Sequence, residues 1–287
     1  MSHTSDGERV TTTEVEPRAS VPKRAHGVDV LRQIAVVVAA IAQIVANFAL
    51  FGGDFGTQPP GAEPWENLAT PAGYAFIVWG VIFLGSLWFA TWHARPSLRG
   101  SAVLRPVGWL AAAGFALCVL WPAFASRGPL WGTIPTIVAM TLVLGAALVL
   151  AVRGRSEMSA WTRWSIITPL ALFVGWLTAA TFANTGDVLG EYGGPRLGLS
   201  LPAFGVVMVA GASCVALLLT WLCQARVVYV ATVLWTLVAI AVGNADETLW
   251  APVPVAALIG AAVLVVSAIV VRVPMRRRDD DEPITSQ

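Results

Sequence analysis

The sequence predicts an all-α integral membrane protein, a polytopic helical bundle with eight transmembrane helices. Hydrophobic residues make up 56% of the 287 positions and charged residues only 12%, which is too little charge for the surface of a water-soluble domain of this size. Several apolar runs reach the roughly 20 residues that a helix needs to cross the hydrocarbon layer. Because lipid offers the backbone no hydrogen-bond partner, and because the runs are too long for barrel strands, each run is predicted to be helical.

Eight apolar segments are predicted to form these helices. They cover residues 31–51, 71–93, 106–125, 133–152, 162–184, 201–222, 225–243 and 252–272. Proline lies at or near the start of four of them, where a missing N–H costs nothing: Pro71, Pro106, Pro202 and Pro252. Residues 1–27 are polar and have no apolar period, so we expect a disordered tail there, and residues 276–287 are expected to form a second, charged tail.

The distribution of positive charge supports an even number of spans. With eight helices, 16 of the 18 Lys and Arg residues fall on the side that holds both tails, and the opposite loops contain only Arg127 and Arg196. By the positive-inside rule, both termini are predicted to be cytoplasmic, and we expect the membrane to be a bacterial cytoplasmic membrane. Tryptophans near the span ends, including Trp131, Trp161 and Trp164, are expected to anchor the helices at the membrane interface.

The start of the second helix, residues 70–80, is the most informative segment. Phe76, Trp79 and Phe83 are three and four residues apart, so they share one face of a helix. An aromatic face inside a membrane can stack on a flat apolar ligand. Packing against other helices is the commoner use of such a face, and it remains the alternative at this point.

Polar and aromatic side chains in the spans are predicted to share one depth, the outer half of the bilayer. They are Asn47, Tyr74, Trp121, Asn184 and Asn244. These residues could line a pocket that opens outward, with the long first loop, residues 52–69, as its lid. Amides near helix ends can also satisfy free carbonyl groups or reach water, so a structural role is the alternative for each of them.

Patterns of catalysis, metal binding and ion coupling do not occur in the sequence. The three histidines are not spaced with cysteine or carboxylate residues as a metal site, and His93 is expected to lie at the cytoplasmic interface. We find no nucleophile elbow, P-loop or dinucleotide fingerprint. No ionisable residue is predicted in the middle of a span, which argues against an ion-driven carrier. We therefore expect no enzymatic activity, no obligatory cofactor and no nucleic-acid partner.

Three motifs resemble those of the TspO/MBR family of tryptophan-rich sensory proteins, which includes the translocator protein or peripheral benzodiazepine receptor. Its second-helix Pro-x-x-aromatic-x-Phe-x-x-Trp pattern is matched by Pro71, Tyr74, Phe76 and Trp79. Its third-helix Leu-Asn-x-x-Trp pattern ends here at Trp121, with Cys118 in place of the asparagine. Its fifth-helix Trp-x-x-x-Ala-x-x-x-Asn pattern is matched by Trp176, Ala180 and Asn184.

The resemblance implies a five-helix TspO-like domain at residues 28–190, followed by three additional transmembrane helices at 191–275. It implies a sensor or binding protein for a flat hydrophobic ligand, such as a tetrapyrrole (a porphyrin or haem) or a sterol-like molecule. A transporter of small lipophilic solutes is the alternative function, and membrane lipid and a second copy of the chain, in a homodimer, are further expected partners. The expected ligand-binding residues are Asn47, Tyr74, Phe76, Trp79, Phe83, Trp121, Trp176, Ala180 and Asn184.

Overall fold

The computed structural model describes residues 23–52, 68–191, 198–245 and 251–281, and this part of the chain is a bundle of helices without a strand. Its eight α-helices are α1 (Lys23–Phe51), α2 (Val78–His93), α3 (Leu104–Arg127), α4 (Thr133–Arg153), α5 (Ala160–Glu191), α6 (Leu201–Leu222), α7 (Val227–Gly243) and α8 (Pro252–Asp281). Short 3₁₀ helices precede α2 (Gly73–Ile77) and α4 (Leu130–Gly132), and two more lie in loops (Pro96–Leu98 and Arg155–Glu157). The predicted fold class is therefore confirmed.

The described helices are long and apolar enough for a polytopic membrane protein. Seven of them qualify as membrane spans by length and composition, and α7 is an apolar helix of 17 residues. At about 1.5 Å per residue, α7 rises roughly 25 Å, which is the lower limit for crossing the hydrocarbon layer. The chain is thus an integral, multi-pass membrane protein.

Helix ends differ from the sequence-based prediction by seven residues or more at four places. Helix α2 begins at Val78 rather than at residue 71, because the 3₁₀ helix Gly73–Ile77 precedes it. Helix α1 begins at Lys23 rather than at residue 31, and α8 continues to Asp281 rather than ending at 272, so the inner ends of both expected tails are helical. Helix α5 likewise continues from residue 184 to Glu191. The physical reason for these three extensions is that hydropathy marks only the part of a helix that lies in lipid, whereas the hydrogen-bonded backbone can continue into water. The proposed lid falls almost entirely on residues 53–67, outside the described residues.

The helices pack as two closed rings that share α5. In the first, which we call the five-helix ring, neighbours contact each other in the order α1, α2, α5, α4, α3 and back to α1. In the second, the four-helix ring, the order is α5, α6, α8, α7 and back to α5. The helices of the five-helix ring carry the residues that were expected to bind a ligand, except Tyr74 and Phe76, which lie in the 3₁₀ helix before α2. The four-helix ring consists of α5 and the last three helices.

Helix α7 supports the first ring at two points. Gly175 of α5 faces α7 so closely that a Cβ atom placed there would lie 2.8 Å from Cβ of Thr232 and 3.0 Å from the carbonyl oxygen of Tyr229. The chain just before α2 also docks on α7, where the backbone N–H of Ala72 donates to the carbonyl oxygen of Ala239 (2.9 Å). Helix α7 therefore contacts both α5 and the segment that precedes α2.

Candidate functional site

An aromatic cluster joins α2 to α5 inside the five-helix ring. The Trp79 ring lies 5.5 Å from Phe83, 6.2 Å from Trp176 and 5.9 Å from Phe173, measured between ring centroids. Phe76 meets Trp176 edge-on at 5.3 Å. Trp79, Phe83 and Trp176 are all buried. The aromatic face that the spacing of α2 predicted therefore exists, and it points at the tryptophan of the fifth-helix motif.

Five residues on the helices of this ring have a buried side-chain polar atom without a hydrogen-bond partner among the described residues: Arg32, Gln43, His93, Ser165 and Trp176. Trp176 is 2% exposed, and its indole N–H has no acceptor within reach there. Gln43 of α1 is fully buried, and both its amide nitrogen and its amide oxygen are unpartnered. An unpaired buried polar group costs about 1–3 kcal/mol, so these atoms are suited to receive the polar groups of a ligand. Gln43 was not among the expected site residues, although its place one turn before Asn47 was a visible signal.

Asn184 joins three helices at the other side of the ring. Its side-chain oxygen accepts a hydrogen bond from the indole N–H of Trp121 (3.0 Å), and its side-chain nitrogen donates to the hydroxyl of Thr133 (3.0 Å). Trp121 also packs against Phe51, with ring centroids 5.8 Å apart. The amide thus ties α5 to α3 and α4, which is the structural role that was kept open as the alternative.

Asn47 is buried against α3. Its side-chain nitrogen donates to the carbonyl oxygens of Gln43 (2.8 Å) and Cys118 (3.3 Å). The Cys118 sulfur lies 3.9 Å from the same nitrogen. The resembling family has asparagine at the position of Cys118. In this chain, the amide of Asn47 therefore contacts the backbone carbonyl oxygen and the sulfur of Cys118 instead of a second amide.

The structure separates Tyr74 from the other expected site residues. Its side chain is 48% exposed, and its ring meets Trp235 of α7 edge-on at 5.4 Å. Ala180 is partly buried against the core on α5. The expected residues therefore form two connected groups and one outlier: the aromatic cluster, the Asn47 and Asn184 contacts with α3, and Tyr74 on the α7 side.

A buried charge network, which the sequence analysis missed, holds the ends of α1 and α3 together. Arg32 is 1% exposed and Asp29 is 4% exposed. Arg32 Nη1 donates to Asp29 Oδ1 at 2.6 Å, and Arg105 donates to both oxygens of Asp29 at 3.1 and 2.9 Å. The spacing of Asp29 and Arg32 on a helix was the available signal, but Arg32 was counted only as a positive charge at the membrane surface.

His93 is the last residue of α2 and is buried inside the bundle; its place at the cytoplasmic membrane interface stays a prediction. It is 0% exposed, its ring stacks on Phe89 at 5.7 Å, and its Nε2 atom lies 3.4 Å from the carbonyl oxygen of Leu104. Gln33 of α1 donates to the carbonyl oxygens of His93 (2.8 Å) and Arg95 (3.0 Å). These bonds join the end of α2 to α1.

A comparison with protein-family models bears on this arrangement of helices. The model described as TSPO-like protein matches residues 30–270. The chain belongs to this TSPO-like family. The matched region of this TSPO-like chain extends through α6 and α7 and ends within α8, so it includes helices that the sequence motifs did not cover. The comparisons with curated proteins and with solved structures gave no significant match.

Family membership and geometry together indicate a ligand-binding or transport protein of the membrane. Within the described residues, no group of three or more His, Cys, Asp or Glu side chains could hold a metal ion. Among the described residues, the five-helix ring offers indole and phenyl rings together with the unpartnered polar atoms of Trp176, Gln43, Ser165, His93 and Arg32. Such groups recognise a ligand by stacking and by hydrogen bonding.

Proposed function

We propose that this protein is a membrane-embedded sensor or binding protein for a flat hydrophobic ligand, with a porphyrin as the leading candidate. The ligand would lie inside the five-helix ring, against the rings of Trp79 and Trp176. The observation that carries the proposal is the unpartnered indole N–H of Trp176, which is buried within a cluster of aromatic rings. A ligand with a large π-face and a few hydrogen-bonding groups matches both features.

Gln43 supports the same proposal from the opposite helix. Its amide can donate and accept, so it could pair with a pyrrole N–H, a carbonyl or a carboxylate of the ligand. Asn184 and Asn47 take part in helix-to-helix hydrogen bonds, and they are proposed to shape the ring rather than to contact the ligand first. The ligand-contacting set is therefore centred on Trp79, Trp176 and Gln43.

Absorbance titration of the purified protein with a porphyrin panel tests the proposal. The panel includes a dicarboxylic porphyrin and its dimethyl ester, which have the same ring but differ in charge. Trp176→Ala is expected to weaken binding of both by about 1–3 kcal/mol, because a stacking ring and buried area are lost. Trp176→Phe keeps a ring and removes only the N–H, so it should cost about 0.5–1.5 kcal/mol for any porphyrin that accepts this hydrogen bond.

Trp161→Ala is the matched control. Trp161 is 69% exposed and lies at the start of α5, near the end of the bundle that holds the Asp29 network, so its loss should leave porphyrin affinity unchanged. If the Trp176 variants stay folded and bind every porphyrin as tightly as the wild type does, the proposal is wrong. Uptake of a bound porphyrin into proteoliposomes, measured in parallel, distinguishes transport from binding alone.

A further inference from the structure

Five arginines lie around the turn between α6 and α7, at one end of the bundle. We call them the arginine cluster, and they are Arg153, Arg155, Arg163, Arg226 and Arg272. At its centre is the turn between α6 and α7. Arg155 donates a hydrogen bond to the side-chain oxygen of Gln224, and Arg272 Nε donates to the carbonyl oxygen of Ala225 at 2.8 Å. The turn is thus held by guanidinium groups that are 47 to 69 positions away in sequence.

Arg226 lies in the middle of this positive charge. Its Nε atom is buried and has no hydrogen-bond partner among the described residues. Burial, together with the charges of Arg155, Arg272 and Arg163, lowers the pKa of its guanidinium. A cation that is partly removed from water and surrounded by like charges is destabilised unless an anion is close.

Among the described side chains, no carboxylate forms an ion pair with an arginine of the cluster. Both ion pairs found there involve Asp29, which belongs to the α1–α3 network. Glu157, the acidic residue next to the cluster in sequence, is exposed and takes part in neither pair. Among the described side chains, the cluster therefore has no carboxylate partner.

The backbone of the turn is strained in a way that keeps Arg226 in place. Gln224 and Ala225 have φ angles of 55° and 49°, in the left-handed region that residues other than glycine rarely adopt. The Ala225 N–H reaches back to the carbonyl oxygen of Thr220 at 2.7 Å, which ends α6 and redirects the chain. Strain of this kind persists only where the surrounding structure imposes it, and it is concentrated at functional sites.

The surroundings of the cluster are those of the membrane interface. Trp161 and Trp164 at the start of α5 are 69% and 54% exposed, as is typical of anchoring tryptophans. Trp221 and Val227, on either side of the turn, are 58% and 59% exposed, so apolar surface lies directly beside the positive charge. A molecule with a phosphate next to acyl chains would contact both surfaces at once.

We propose that the arginine cluster binds the phosphate group of an anionic phospholipid, with the acyl chains against the exposed apolar surface of α6 and α7. Arginine forks bind phosphate oxygens in a bidentate manner, so several guanidinium groups can share one headgroup. This site is independent of the proposed porphyrin site, because it surrounds the turn between α6 and α7 and uses none of the aromatic cluster.

Native mass spectrometry of the full chain tests the site. The protein is reconstituted in nanodiscs of phosphatidylcholine mixed with phosphatidylglycerol, and the lipids that remain bound after release are counted. Wild-type protein is expected to retain phosphatidylglycerol preferentially, and Arg226→Gln should reduce this preference about fivefold, the effect of one basic residue near an anionic lipid surface. Arg163→Gln, at an exposed position, should also reduce it, and this variant carries the test if Arg226→Gln does not fold.

Arg127→Gln is the matched control, since Arg127 is an exposed arginine at the last turn of α3, outside the cluster. It should leave the lipid preference unchanged. Equal retention of both lipids by the wild type, or an equal loss in Arg127→Gln and the cluster variants, would overturn the proposal. Inorganic phosphate is added to protein in pure phosphatidylcholine nanodiscs as a separate arm. If it raises the melting temperature of the wild type but not of Arg226→Gln, and the wild type retains both lipids equally, the ligand is a soluble anion and the lipid assignment is wrong.

Discussion

The buried pair of Asp29 and Arg32 provides the sharpest prediction about stability. Asp29→Asn preserves the shape of the side chain but removes the charge that compensates a guanidinium with 1% side-chain exposure. Arg32 would keep its hydrogen bond to the backbone carbonyl oxygen of Arg99 (3.0 Å). A carbonyl group carries no net charge, so it does not replace the lost carboxylate. Removing one partner of a buried ion pair costs about 3–5 kcal/mol, so we expect Asp29→Asn to lower the free energy of unfolding by that amount.

Reversible unfolding in mixed detergent micelles, followed by circular dichroism, measures this free energy. Arg105→Gln is the control, because Arg105 bonds the same carboxylate but has a 45% exposed side chain. An exposed ion pair contributes only about 0–1 kcal/mol. The double variant Asp29→Leu with Arg32→Met removes both buried charges and should recover most of the lost stability. If Asp29→Asn unfolds within about 1 kcal/mol of the wild type, or if Arg105→Gln costs as much, the reasoning is refuted.

Three further predictions concern packing, the interhelical amide and topology. Gly175→Ala should destabilise the bundle by about 1–3 kcal/mol, because its Cβ would be 2.8 Å from α7; Gly80→Ala, which meets no atom within 4 Å, should be neutral or stabilising in the same unfolding assay. Asn184→Leu should lower the free energy of unfolding by about 1–3 kcal/mol, because two hydrogen bonds between helices are lost. Asn244→Leu is the control and should cost clearly less, since the Asn244 amide bonds only a carbonyl oxygen of α7. Equal losses of stability in the two variants would contradict this. A fluorescent protein fused to the C-terminus should be fluorescent and an alkaline phosphatase fused there inactive if both termini are cytoplasmic; the reverse result would contradict the charge-based topology.

The sequence by itself determined the class of protein and the course of the backbone. The observed α6, Leu201–Leu222, has the predicted bounds, and α4, Thr133–Arg153, differs from prediction by one residue. Both results have a local cause, since length, apolar content and proline at a first turn are properties of a single segment. The shared face of Phe76, Trp79 and Phe83 was also visible, because helical spacing fixes which side chains point the same way.

Tertiary structure decided which of these faces meet and which polar atoms are paired. Trp79 and Trp176 come together only because α2 and α5 are neighbours in the five-helix ring. The same packing uses the amide of Asn184 as a link between helices and leaves that of Gln43 without a partner among the described residues. Hydropathy does not report the order of helices in a bundle or their rotation, so it cannot distinguish these two amides.

The charged residues show most clearly what the sequence determines and what only the tertiary structure decides. Arg32 and Arg226 count equally in the positive-inside rule, but the fold pairs Arg32 with a buried carboxylate and surrounds Arg226 with other arginines. The decisive neighbours come from distant segments, such as Arg105 for Asp29 and Arg155 for Gln224, at separations of 76 and 69 positions. The electrostatic role of each arginine depends on the charges and the burial around it, and these exist only once the helices have packed.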